Sequence, residues 1–260
     1  MSWWGKVLGG TFGFLLGGPI GALLGAALGH SIDSGVEGLS YNPLGGGAEK
    51  TQMAFFTALF AVLGHLAKSD GRVSVAEIRV AESLMDQMRL SKEQRRVAVR
   101  LFTEGKRANF PLEEVLEQFA SVAGRQRNLQ QMFLEILIDS ALIDGPVTAD
   151  ERRVLARTCV VLGFEPGQLE QMIRMRTQGR RRGPASPKQP AFDPYAVLGV
   201  EAKATDAEVK RAYRRLMSQH HPDKLVSKGL PEEMMDIAKQ RVREIRQAYD
   251  LIKQQRGTLR

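Results

Sequence analysis

Apolar residues recur along the chain at helical spacing, with no sustained period-two alternation. Met53, Phe56, Phe60 and Leu63 mark one apolar face, and Met132, Phe133, Ile136, Leu137 and Ala141 mark another. Val209, Ala212, Tyr213 and Leu216 form a third face, and Ala238, Val242, Ile245, Tyr249 and Ile252 a fourth. The pattern predicts an all-α protein. A helical body covers 51–175. Two long helices within 193–260 pair as an antiparallel hairpin around Tyr213, Leu216, Val242 and Ile245.

The first thirty residues differ. Val7 to Gly29 carries no formal charge and is flanked by Lys6, His30 and Asp33. As a helix it would cross a hydrocarbon core of roughly 30 Å, with Trp3 and Trp4 at the interface, where aromatics are favoured. A cleaved signal peptide would have a shorter, Leu-rich block and a small-residue cleavage site. The expectation is therefore an uncleaved transmembrane anchor over 1–30, kinked at Pro19, with a re-entrant hairpin as the alternative. Glycines recur every fourth residue from Gly5 to Gly29. Gly9, Gly13, Gly17, Gly21 and Gly25 form a ridge along which two backbones can approach, which predicts a homodimer in the bilayer. Residues 31–50, rich in Gly and Ser, are expected to be a flexible tether.

The central body contains an echo. Asp70-Gly71-Arg72-Val73-Ser74-Val75-Ala76-Glu77 and Asp144-Gly145-Pro146-Val147-Thr148-Ala149-Asp150-Glu151 share one pattern, Asp-Gly-x-Val-Ser/Thr-x-x-Glu. Asp-Gly turns the chain, Ser74 or Thr148 caps the next helix, and Glu77 or Glu151 completes a capping box. The functional alternative gathers Asp70 and Asp144 into a cation site, although neither copy has the alternating acidic ligands of an EF-hand loop. Capping is the preferred reading.

The lone Cys159 excludes a disulfide within the chain and a paired-cysteine zinc site. It lies in an apolar run and is expected to be buried and inert, and His65 is expected to be structural. No catalytic constellation is visible, so neither an enzyme nor a cofactor is predicted.

The net charge of +8 is localised. Acidic and basic residues balance over 51–175, whereas 176–192 and 193–260 hold the basic excess. Arg174, Arg176, Arg180, Arg181 and Arg182, followed by Pro184, Pro187 and Pro190, mark a basic, extended linker, bounded at 176–192. With no aromatic-basic stacking motif, the charge points to an acidic protein partner and not to nucleic acid.

The C-terminal unit has the most specific pattern. Tyr195-x-x-Leu198-Gly199 lies in a short apolar turn, and Thr205 and Glu208 form a capping box. Lys210 with Arg214, and Arg211 with Arg215, are helical neighbours that make one face basic. His221-Pro222-Asp223 then joins the two helices. Pro222 fixes its own φ and pushes His221 out of helical geometry. Asp223 becomes a rigidly placed acceptor suited to a partner's arginine.

Together with Arg211-Ala212-Tyr213-Arg214-Arg215-Leu216 and Gln247-Ala248-Tyr249-Asp250-Leu251-Ile252, these motifs resemble a J domain over 193–260. The Asp-Gly repeats make 51–175 similar to the TerB-like helical domain. Anchor, TerB-like domain and J domain, in that order, resemble the DjlA-type membrane co-chaperones. The resemblance implies a regulatory co-chaperone of the bacterial inner membrane, linked to envelope-stress and capsule signalling. It implies a DnaK-type partner whose ATP hydrolysis is stimulated by His221, Pro222 and Asp223, with docking through Lys210, Arg211, Arg214 and Arg215 and with Tyr213 packing the hairpin. No Gly/Phe-rich segment or zinc-binding cysteines accompany it, which argues against generic client binding. The competing reading is a membrane-tethered metal or stress sensor acting through the TerB-like domain. A DnaK partner requires a cytoplasmic C-terminus and hence a periplasmic N-terminus, although Lys6 alone, by the positive-inside rule, favours the reverse.

Overall fold

The computed structural model describes residues 18–25, 47–69, 71, 75–143, 145–179 and 193–257, and no strand occurs among them. The central body is built from α1 (Gly47–Ala67), α2 (Val75–Gln87), α3 (Lys92–Gly105), α4 (Leu112–Ala123), α5 (Arg127–Ala141), α6 (Ala149–Val161) and α7 (Pro166–Gly179). The C-terminal unit comprises α8 (Pro194–Leu198), α9 (Asp206–Gln219), α10 (Pro222–Val226), a 3-10 turn (Glu232–Met234) and α11 (Met235–Gln255).

α1 is apolar on every side and therefore becomes the central helix. Phe55, Leu59, Phe60 and Leu63 are all buried. Phe55 meets Phe119 of α4 and Phe133 of α5 edge-on, with ring centroids 5.7 and 5.6 Å apart, and Phe119 and Phe133 stack on each other. α1 also lies against α3 with almost no space between the backbones. A Cβ on Gly64 would fall 2.0 Å from the carbonyl oxygen of Phe102, and one on Gly105 would fall 1.8 Å from that of Ala61.

The C-terminal hairpin has its own core of Val197, Leu198, Val209, Ala212, Leu216, Ile245, Ala248 and Ile252. Val242, expected in that core, is only half-buried and lines a groove with Pro222 instead. The stretch after α9 behaves otherwise. Leu225, Leu230, Met234 and Ala238 are buried in the core of the central body.

Three boundaries differ from the sequence expectation. α1 starts at Gly47, inside the expected tether. α7 continues to Gly179, which takes Arg176 out of the linker and into a folded helix. The expected apolar turn at 193–200 contains a five-residue helix, α8, whose N-terminal amides bond the Asp193 carboxylate. Most of the expected anchor, including Gly9, Gly13 and Gly17, lies outside the described residues, whereas Gly21 and Gly25 belong to a helical stretch over 18–25. Ile20, Leu23 and Leu24 of that stretch are buried with the central core, and the Ile20 amide donates to Gln118 Oε1 of α4 at 2.6 Å. Among the described residues no helix is long and apolar enough to cross a membrane.

Candidate functional site

Thr205 starts α9 with a complete capping box. Its hydroxyl accepts from the Glu208 amide, and its own amide donates to the Glu208 carboxylate at 2.7 Å. That orientation turns Val209, Ala212 and Leu216 into the hairpin core and leaves Lys210, Arg211, Arg214 and Arg215 exposed in one basic patch. Tyr213 stacks on Tyr249 of α11 with centroids 4.1 Å apart, so it packs the hairpin as expected. Arg256, which the sequence did not single out, fastens the far end of α11. Its guanidinium donates to the Tyr195 hydroxyl, Asp206 and the Ala202 carbonyl.

α9 ends at Gln219, and His221 is extended, with φ −63° and ψ 121°. Pro222 then occupies the first turn of α10, where its missing N–H leaves no donor unpaired. The expected loop is therefore a short helix at this point. His221 and Asp223 are exposed and Pro222 is half-buried, and the His221 carbonyl accepts from the Leu225 amide at 3.1 Å. His221 and Asp223 of the motif and the basic patch are thus both presented to solvent.

The residue before the motif is placed very differently. His220 is 3% exposed, and its Nε2 lies 3.6 Å from Oε1 of Glu135 on α5, with no hydrogen-bond partner. Glu135 is itself buried and accepts from Gln131 at 2.8 Å and from Arg176 of α7 at 2.8 Å. Arg176 also pairs with Asp139, and Arg241 of α11 pairs with Glu244 nearby. Burial opposes ionisation of Glu135, but the positive groups His220, Arg176 and Arg241 and the Gln131 hydrogen bond outweigh it and draw the carboxyl down to about 2. Burial lowers the His220 imidazole despite the attraction of Glu135.

The acidic repeat is half visible. Thr148 and Glu151 form the expected capping box, with mutual backbone–side-chain hydrogen bonds of 2.8 and 3.2 Å. Gly71 and Gly145 take φ of +87° and +143°, the turn geometry that glycine allows. Asp70 and Asp144 lie outside the described residues, as do Ser74 and the Glu77 side chain. Among the described residues no three His, Cys, Asp or Glu side chains gather closely enough to hold a metal ion. Cys159 is 1% exposed and burial raises its thiol pKa, while His65 packs against Phe110 with burial lowering its imidazole.

Family profiles match the chain in three consecutive segments. They are described as the co-chaperone DjlA transmembrane domain over residues 1–42, tellurite resistance protein TerB over 56–174 and the DnaJ domain over 193–257. The chain is 46% identical over 260 residues to the co-chaperone protein DjlA of Shewanella oneidensis, covering 99% of both chains. It is 44% identical over 276 residues to that of Photobacterium profundum, covering 98% of this chain and 99% of the relative. The value for Vibrio cholerae is 42% over 282 residues, covering 99% of each. No solved structure matches the chain.

Proposed function

The chain belongs to the DjlA family of membrane-anchored, J-domain co-chaperones, and from that premise we propose that it stimulates ATP hydrolysis by a DnaK-type chaperone at the membrane surface. His221, Pro222 and Asp223 trigger hydrolysis. Lys210, Arg211, Arg214 and Arg215 dock an acidic surface of the chaperone. Asp223 serves as acceptor for a chaperone arginine, a charge-assisted bond that a planar guanidinium makes well. The observation that carries this reading is the exposure of His221 and Asp223, between buried His220 and Leu225, together with the exposed basic patch.

The same premise supports a dimer through the glycine ridge, with the N-terminus periplasmic and the C-terminal domains cytoplasmic. The chain acts as a regulator of its partner, with a place in envelope-stress and capsule signalling.

The test is the ATPase rate of the chaperone with the full chain in lipid nanodiscs. Wild type should accelerate hydrolysis, and His221→Gln, which changes an exposed side chain, should abolish the acceleration without changing the circular dichroism. Equal stimulation by the folded variant would sink the assignment.

A further inference from the structure

The His-Pro-Asp motif is fastened on both sides to a domain that the J-domain pattern does not include. Before it, buried His220 abuts Glu135 of α5. After it, Leu225, Leu230, Met234 and Ala238 complete the core of the TerB-like domain. Polar contacts reinforce the join. Gln94 at the start of α3 donates to Glu233 at 2.5 Å, and Arg89 pairs with Asp236 at 3.1 Å. Pro222 itself lines a groove of about 640 Å³ whose opposite wall includes Asp86 and Arg89, at the end of α2. The hairpin core, by contrast, has no fully buried residue between Leu216 and Ile245, and only half-buried Met217 packs against it there. The backbone carrying His221 to Asp223 is therefore held by the TerB-like domain as well as by the hairpin.

Charge makes the Glu135 contact specific. A buried carboxylate needs compensation from fixed directions, and here it comes from Arg176 on α7 and from His220 and Arg241 across the domain boundary. His220 offers a buried nitrogen with no other partner, aimed at the same carboxylate. A shift of α5 or α7 would thus move the residue adjoining His221.

We propose that Glu135 and His220 are positioning residues for chaperone stimulation, through which the TerB-like domain sets the placement of the His-Pro-Asp motif. The inference rests on the reading of that motif as the ATPase trigger. Neither residue lies in the exposed patch that docks the chaperone. Misplacement of a trigger lowers the maximal rate and leaves docking intact, because a small displacement of a reacting group has a large effect on rate.

The experiment titrates the full chain in nanodiscs against a fixed amount of DnaK-type chaperone and reads the plateau and the half-saturating concentration separately. Glu135→Gln and His220→Gln should each lower the plateau about tenfold at an unchanged half-saturating concentration. The double variant should fall no further than either single one, since both cut the same link. A purely structural role would reduce the folded fraction, moving half-saturation to higher concentration at the wild-type plateau. That result, or an unmoved curve, in both variants overturns the proposal. His221→Gln is run alongside. If wild type fails to stimulate, or His221→Gln stimulates fully, the trigger reading itself fails, an outcome distinct from normal curves for the Glu135 and His220 variants.

Discussion

Gly64 on α1 and Gly105 on α3 are each pressed against the other helix's backbone, so that the two helices meet at the carbonyl oxygens of Phe102 and Ala61. A methyl group at either position would sit at 2.0 or 1.8 Å from those oxygens, far inside contact distance, and the atoms it meets are backbone. Gly64→Ala and Gly105→Ala should therefore each destabilise by on the order of 1–3 kcal/mol, in spite of a helix-propensity gain of about 1 kcal/mol. Gly167→Ala on α7, where a Cβ meets nothing within 4 Å, is the control and should be neutral or stabilising. Urea denaturation of the detergent-solubilised chain followed by circular dichroism checks all three.

Arg176 supplies the second prediction. It is buried against Glu135 and Asp139, and their carboxylates raise its pKa against the opposing effect of burial. Arg176→Met leaves Glu135 buried without its main counter-charge and should lower stability by about 3–5 kcal/mol. Adding Glu135→Gln removes the stranded charge, so the double variant should be more stable than Arg176→Met alone. Equal or lower stability of the double variant would show that the pair is not coupled.

These two sites mark where the sequence stopped being informative. Capping boxes at Thr148 and Thr205 were legible because each is complete within four residues. The buried faces of α9 and most of α11 were legible because amphipathic spacing is local, and the His-Pro-Asp motif because its neighbours fix its context. On α1, by contrast, the expected Met53 and Phe56 are only half-buried and Phe55 and Leu59 lie deeper. Arg176 was not, since it precedes Arg180, Arg181 and Arg182 and so matched a solvated basic linker. Its carboxylate partners lie about forty positions earlier, on a different helix. His220 carries no local signal that sets it apart from its neighbour, and only the packing of two domains separates it, buried, from the exposed His221. Gly64 and Gly105 each appear as an isolated glycine in a helix, and nothing local says which backbone will approach. Val242 had the right period but the wrong partner, lining the groove with Pro222.

Acid should loosen the domain boundary. The unfolded chain protonates His220 near its ordinary value of 6.5, whereas burial holds the folded imidazole below that. The resulting stability is complete above that value and is lost as pH falls through it, because the unfolded state binds the proton first. His65, also lowered mainly by burial, acts in the same direction. Glu135 adds a further loss only between its ordinary 4.5 and about 2. The urea midpoint should be level above about pH 7 and decline below about 6.5. In His220→Gln the decline down to about pH 5 should be shallower, and the Glu135 portion at lower pH should shrink because His220 helps to hold that carboxyl down. An identical decline in the variant would remove His220 from the account.

The basic patch should act mainly before contact. Lys210, Arg214 and Arg215 are exposed, so their charges steer an acidic partner more than they hold it. Reversing all three to Glu should slow association with the chaperone by at least about tenfold at low salt and flatten its dependence on ionic strength. Stopped-flow association rates at several salt concentrations measure this, and a wild-type salt slope in the variant would make the patch an ordinary solvated surface.

Orientation is the prediction on which two arguments disagree. Lys6 precedes the apolar segment, Asp33 and Glu37 follow it, and the next basic residue is Lys50. Counting Lys and Arg near the ends of the segment favours a cytoplasmic N-terminus. That arrangement would place the J domain on the far side of the membrane from a DnaK-type partner and its ATP. The charge bias rests on a single lysine. The opposing argument rests on the ordered J-domain motifs around His221-Pro222-Asp223, which act only where a DnaK-type partner is. The lone Cys159 suits a reducing compartment as well. The N-terminus should therefore face the periplasm. Alkaline phosphatase fused after Arg260 should be inactive and a fluorescent protein fused at the same point should fluoresce. The reverse pair of results would falsify the orientation and the co-chaperone mechanism together, because no rearrangement of the soluble domains could return the trigger to its partner.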